Sequence, residues 1–202
     1  MFAAFLEQGD IVLAPGPHYP PYMAYPQMYG AKTVEYALDS DEGWAIDTDD
    51  IRRKMNDSVK FIVVVNPNNP TGNVAKPSTI KEVLSIAKDW PNCTVIADEI
   101  YDALDFSGDQ RSVASLSDEV PVVTLNGVSK VHFAPGWRIG YMAFFDPRGS
   151  LGAPRDGVER ILRSRLCAST PAQYGYLAGL EHDRLWLKER LSTIERKVEL
   201  CM

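Results

Sequence analysis

Five consecutive apolar residues, Phe61-Ile62-Val63-Val64-Val65, run without a break into Asn66-Pro67-Asn68-Asn69-Pro70-Thr71-Gly72. A short apolar run that ends at turn formers reads as a buried parallel strand, which requires a sheet covered by helices on both faces. The same grammar recurs where Thr94-Val95-Ile96-Ala97 leads straight into Asp98-Glu99-Ile100-Tyr101. In a doubly wound sheet the residues just past the carboxyl ends of the strands face one crevice. Asn69, Asp98 and Tyr101 are therefore expected to converge, together with Lys130.

The rest of the chain keeps this alternation. Strands are expected over residues 10–14, 32–37, 59–65, from Thr94, over 122–125 and over 139–144; helices are expected near 22–29, over 49–55 and over 78–89. On the last of these Ile80, Val83, Leu84 and Ala87 share one face, and Thr79-x-x-Glu82 resembles a capping box. Strand and helix in turn predict an α/β three-layer sandwich with a mostly parallel sheet. Residues 146–154, rich in Gly and Pro, read as a linker. Beyond it the chain reads as C-terminal helices: 157–167, then one that starts at Pro171 with Thr170 as its cap, then a charged one from Arg184. Tyr22, Tyr25 and Tyr29, at helical spacing, read as core-facing aromatics. His18 and His132 read as structural or surface residues.

With 202 residues, 45% of them hydrophobic, the chain can bury a sizeable core, and one domain is the default. Its formal net charge of -6 argues against a nucleic-acid surface, since phosphate backbones are bound through clusters of Lys and Arg. Cys93, Cys167 and Cys201 are odd in number and lack metal-ligand spacing, so neither a disulfide framework nor a metal site is expected and a reducing cytoplasm is the natural setting. The apolar runs are too short to span a bilayer, and the first residues lack the charged-then-apolar order of a signal segment.

Lys130 begins the stretch Lys130-Val131-His132-Phe133-Ala134-Pro135-Gly136-Trp137-Arg138. A lysine amine has an ordinary pKa of about 10.4 and attacks aldehydes only where burial or nearby positive charge favours its neutral form. A nearby Arg could serve that need and also clamp a phosphate. Taken singly, these residues have plainer readings: Asn69 as a turn residue, Asp98 as a helix cap, Lys130 and Arg138 as solvated surface charges. The ordered set is more specific. Asn66 to Gly72, Asp98 to Tyr101, Ser129-Lys130 and Gly136-Trp137-Arg138-Ile139-Gly140-Tyr141 together resemble the central part of a class I/II aminotransferase, a fold-type I family that uses pyridoxal 5'-phosphate.

The resemblance implies roles residue by residue. Lys130 would bond the cofactor aldehyde and shuttle the substrate Cα proton, as both anchor and general base. Asp98 would pair with the pyridine nitrogen and keep it protonated, so that the ring can accept electrons. Asn69 and Tyr101 would hydrogen-bond the phenolic oxygen, Arg138 and Ser129 would hold the phosphate, and Tyr19 would stack on the ring face. Many relatives carry a second hydroxyl where this chain has Gly127, which leaves the phosphate cup partly unassigned. A cis peptide is expected at Asn69-Pro70.

The family is about twice this long, so the resemblance also implies that residues 1–202 form a partial large, cofactor-binding domain with a helical extension from about 155. A further phosphate-binding turn and the arginine that clamps the substrate carboxylate would then lie outside it. The expected reaction moves an amino group between an L-amino acid, alanine-like in the closest branch, and a 2-oxo acid, in a homodimeric cytoplasmic parent. Two alternatives stay open: a carbon-sulfur β-lyase on the same scaffold, and a non-catalytic aminotransferase-like module.

Overall fold

Alternate residues of the central strands face opposite layers. Leu13, Ile62, Val64, Val95, Ala97 and Val122 enter one core, and Val12, Ala14, Phe61, Val63, Ile96 and Val123 enter the other. This period of two is the pleat of a strand, and both faces are apolar because both are covered. Burial of each large side chain contributes about 1.5–3 kcal/mol.

The computed structural model describes residues 1–182 and 185–200. Its strands are β1 (Ile11–Gly16), β2 (Lys32–Asp39), β3 (Ala45–Ile46), β4 (Val59–Val65), β5 (Thr94–Asp98), β6 (Val122–Gly127) and β7 (Gly140–Phe145). Its helices are α1 (Phe2–Phe5), α2 (Pro21–Gln27), α3 (Thr48–Lys54), α4 (Pro77–Lys88), α5 (Gly152–Ser164), α6 (Thr170–Glu181) and α7 (Leu185–Glu199). The strands form one sheet in the order β3-β2-β1-β4-β5-β6-β7; β2, β1, β4, β5 and β6 run parallel, while β3 and β7 lie antiparallel at the edges. Ile51 of α3 and Ile80, Val83 and Leu84 of α4 cover the first core. Phe2 and Phe5 of α1, Tyr22 of α2 and Val158 of α5 cover the second. The expected α/β sandwich is therefore the fold.

Local details depart from the sequence reading. Pro77, which needs no N–H donor, opens α4, so Thr79 sits inside the first turn and the expected capping box does not form; the cap position is Lys76, with no side-chain cap hydrogen bond. Thr170 is likewise the first helical residue of α6, not its cap, which is Ser169. The expected linker is instead a tight turn: the Asp146 carboxylate accepts from the backbone N–H groups of Ser150 and Leu151, both at 2.9 Å, and α5 has begun by Gly152. Of the three tyrosines read as core-facing, only Tyr22 is buried; Tyr25 and Tyr29 are 52% and 40% exposed. Arg184 lies outside the described residues.

Candidate active site

The carboxyl ends of β4, β5 and β6 lie side by side, because Val65 pairs with Asp98 and Asp98 with Leu125. Two backbone bonds carry this alignment past the strand ends: Asn66 N–H donates to the Asp98 carbonyl at 3.0 Å, and Glu99 N–H to the Leu125 carbonyl at 2.9 Å. The three following loops therefore leave the sheet together.

Each loop is shaped by its own side chains. Buried Asn66 accepts from Ala75 N–H at 2.9 Å through Oδ1, and Asn68 donates to the Thr71 hydroxyl at 2.8 Å. Gly72, at φ 75°, closes the turn by donating its N–H to the Asn68 carbonyl. Asn69-Pro70 is cis, as expected, and so are Asn66-Pro67 and Gly16-Pro17. After β5, buried Glu99 accepts from Val113 N–H at 2.8 Å, tying the loop to the body of the domain. Burial pushes the Glu99 carboxyl above its ordinary range, against the pull of the Val113 N–H and the Ser112 hydroxyl.

Tyr19, Asn69, Asp98, Tyr101, Ser129, Lys130 and Arg138 all line one cavity of about 280 Å³, with apolar walls from Val65, Ile100, Leu125 and Pro135. That volume lies just below the usual range of small-molecule pockets, about 300–1,000 Å³. The Lys130 ammonium lies 5.6 Å from the centroid of the Tyr101 ring, and Lys130 itself is exposed. Its side chain is thus not buried by the chain's own residues, because the loop holds it on the solvent side of the cavity. Arg138 is also exposed and donates to the Pro135 carbonyl at 2.6 Å. Tyr19 sits edge-on to Tyr22, 6.4 Å between centroids.

Asp98 is the part-buried carboxylate among them. Oδ1 accepts from Ile100 N–H at 3.3 Å, the local bond of a residue that follows a strand. Oδ2 accepts from the Tyr22 hydroxyl at 2.5 Å. Burial raises the Asp98 carboxyl from its ordinary range, and the two donors oppose that rise. The Tyr22 hydroxyl is raised well above its usual value, first by burial and then by the Asp98 charge. Sequence reasoning missed this use of Tyr22 and took the residue as core; its position one helical turn beyond Tyr19 was the available signal. It also missed Asn126, which lines the cavity and accepts from Gly127 N–H at 2.7 Å.

Gly127 has its own physical cause. A Cβ there would lie 2.6 Å from the Ile139 carbonyl oxygen and 3.0 Å from the Gly140 Cα, and a Cβ on Gly140 would lie 2.9 Å from the Asn126 carbonyl oxygen. The two glycines pair across β6 and β7, so this close approach excludes a hydroxyl-bearing side chain at 127.

The residues fit pyridoxal phosphate. A carboxylate raised by burial lacks a cationic partner, and a protonated pyridine nitrogen is such a partner; in the same cavity an amine and a guanidinium offer covalent attachment and a phosphate clamp.

Comparison with known proteins identifies a family. Residues 1–202 match the family described as aminotransferase class I and II. The glutamate-pyruvate aminotransferase AlaA of Haemophilus influenzae is 38% identical over 178 residues, which is 88% of this chain and 44% of that protein. The alanine aminotransferase of Mycobacterium tuberculosis is 33% identical over 178 residues, again 88% of this chain and 41% of its own. The solved alanine aminotransferase from Pyrococcus furiosus superposes with a TM-score of 0.96 at 45% identity, covering 99% of this chain and 51% of that one. The chain spans about half the length of these relatives. With a match along its whole length, it belongs to the aminotransferase class I and II family.

Proposed function

We propose that this chain carries the cofactor-binding machinery of a pyridoxal phosphate-dependent aminotransferase, which moves an amino group between an alanine-like L-amino acid and a 2-oxo acid such as 2-oxoglutarate. The observation that carries the reading is the single cavity in which Asp98, Asn69, Tyr101, Ser129, Lys130 and Arg138 meet. When bound, pyridoxal phosphate supplies an aldehyde for attachment and a ring that accepts electrons from the substrate Cα.

The chain's own residues do the rest. Asp98, held by Tyr22, offers a carboxylate to the ring nitrogen and favours its charged form. Asn69 and Tyr101 would donate to the phenolic oxygen. Ser129 and Arg138 grip the phosphate, and Tyr19 covers one ring face. Nζ of Lys130 would hold the cofactor aldehyde and, as a free amine, would serve as the general base toward the substrate Cα proton.

The names of the similar proteins support the alanine-like substrate. Their greater length supports residues 1–202 as the larger part of a cofactor-binding domain, with the helical extension from about 155. Tyr25, Met28 and Tyr29, on or next to α2, are large apolar side chains left exposed, which supports a homodimeric parent. No helix among the described residues is long and apolar enough to cross a membrane, which is compatible with a cytoplasmic parent.

The test is product analysis of the full-length protein supplied with pyridoxal phosphate, alanine and 2-oxoglutarate. Pyruvate and glutamate in equal amounts are expected. Pyruvate and ammonia formed without an acceptor would mark a lyase, and no turnover with a range of amino donors would mark a non-catalytic module.

A further inference from the structure

The loop that carries Lys130 and Arg138 contains two non-glycine residues in left-handed backbone, Phe133 at φ 51° and Arg138 at φ 55°. L-residues avoid this region because Cβ crowds the backbone, so such residues persist only where their surroundings over-determine them. Each follows an aromatic residue that rests on a glycine of α6. A Cβ on Gly175 would lie 2.6 and 2.8 Å from two atoms of the six-membered ring of Trp137. A Cβ on Gly179 would lie 3.1 and 3.2 Å from the His132 ring.

Gly175 and Gly179 are four apart and share one face of α6. Glycine is a poor choice inside a helix, where alanine is favoured, so two on one face need a reason. The seated rings supply it. His132 is further flanked by Tyr176 at 5.3 Å and Trp186 at 5.9 Å between centroids, and the loop ends at Val128 and Ile139 pack on Tyr176.

We propose that Gly175 and Gly179 are positioning residues for the site: by lacking a Cβ they seat Trp137 and His132, and the two seats hold the loop in the shape that presents Arg138 to the cavity. This inference rests on the reading of Arg138 as the phosphate clamp. A methyl group at 175 lifts Trp137 off the helix, and Arg138, the next residue in the chain, moves with it.

The test measures the affinity of the full-length protein for pyridoxal phosphate and for pyridoxal, which lacks the phosphate. Gly175→Ala is expected to weaken pyridoxal phosphate by about tenfold, the loss of roughly one charge-assisted hydrogen bond, and to leave pyridoxal within about twofold. Adding Trp137→Phe, which removes the ring atoms that clash, is expected to recover most of the lost affinity, a rescue that general destabilisation cannot give. Gly157→Ala is the control, since its Cβ meets Ala4 at 3.1 Å in a different helix. If Gly175→Ala does not fold, Gly179→Ala, with the looser contact, carries the same expectation at smaller size. Unchanged affinity, equal loss for both ligands, a loss matched by the control, or no rescue would overturn the proposal. Arg138→Ala separates the two layers: if it leaves pyridoxal phosphate affinity unchanged, the clamp reading itself fails; if it weakens binding while Gly175→Ala does not, only the positioning role falls.

Discussion

The Tyr22 hydroxyl donates to Oδ2 of Asp98 at 2.5 Å across 76 residues of sequence, joining the helix that follows β1 to the end of β5. Tyr22 is buried and uncharged, so it steadies the carboxylate without neutralising it. Tyr22→Phe removes a donor that holds the Asp98 pKa down, so that pKa rises further above its ordinary value. Asp98 must be ionised to pair with a protonated ring nitrogen. Pyridoxal phosphate affinity in the variant is therefore expected to start failing at a higher pH, by about one unit if the bond is worth roughly 1.5 kcal/mol. Affinity measured across pH checks this, and superimposable profiles would contradict it.

Without cofactor, Asp98 works against folding at neutral pH. Its folded pKa lies above the unfolded value, so the associated stability is present below the unfolded pKa and lost as pH rises through the folded pKa. Asp98→Asn removes that ionisation and keeps a side chain that Tyr22 can bond. The cofactor-free variant is expected to melt higher at neutral pH, by about 2–4 °C for each kcal/mol recovered, while losing transferase activity. Thermal melts with and without added cofactor decide it.

The sheet was legible in sequence because its central strands are buried on both faces and end at turn formers, so pattern and burial say the same thing. Asn69, Asp98 and Tyr101 could be placed at one edge for that reason. What sequence could not show depends on distance in space. The partner of Asp98 lies 76 residues away, and Gly127 looks like a missing hydroxyl until the Ile139 carbonyl is seen where a Cβ would stand. Tyr22, Tyr25 and Tyr29 look alike at helical spacing, yet only Tyr22 is buried: Tyr25 is offset by about 60° around the helix, and Tyr29 lies past its last residue, Gln27. The start at Pro77 was misjudged because proline occupies the first turn, where a capping box was expected, whereas α6 begins only one residue before the expected Pro171.

Gly127→Ser puts a hydroxyl where the family resemblance implies one, but its Cβ must displace the Ile139 carbonyl oxygen from 2.6 Å. The strands β6 and β7 have to separate. Overpacking of this kind costs about 1–3 kcal/mol, so lower stability without tighter phosphate binding is expected in urea melts and cofactor titrations. Tighter binding at unchanged stability would show that the strands tolerate the side chain.

Buried Asp50 shows the opposite pH sign. Burial acts to raise its pKa, but Lys54 at 2.6 Å, the Ala37 N–H at 2.8 Å and Arg53 at 3.1 Å outweigh it and hold the carboxyl below its ordinary range. The stability it contributes is present above its unfolded pKa and lost as pH falls through the folded one. Asp50→Asn is expected to lower stability at neutral pH by about 1–3 kcal/mol and to flatten the acid limb of the stability profile. Equal acid limbs in the two proteins would contradict it.

The central claim is that the amine of Lys130 bonds the cofactor aldehyde. Its most direct measurement is reduction of the cofactor-loaded, full-length protein with borohydride, followed by digestion and mass spectrometry. The account predicts one pyridoxyl phosphate adduct, on the peptide that contains Lys130, and none in Lys130→Ala. An adduct on a different lysine, or no lysine adduct in protein that retains the cofactor, would contradict it.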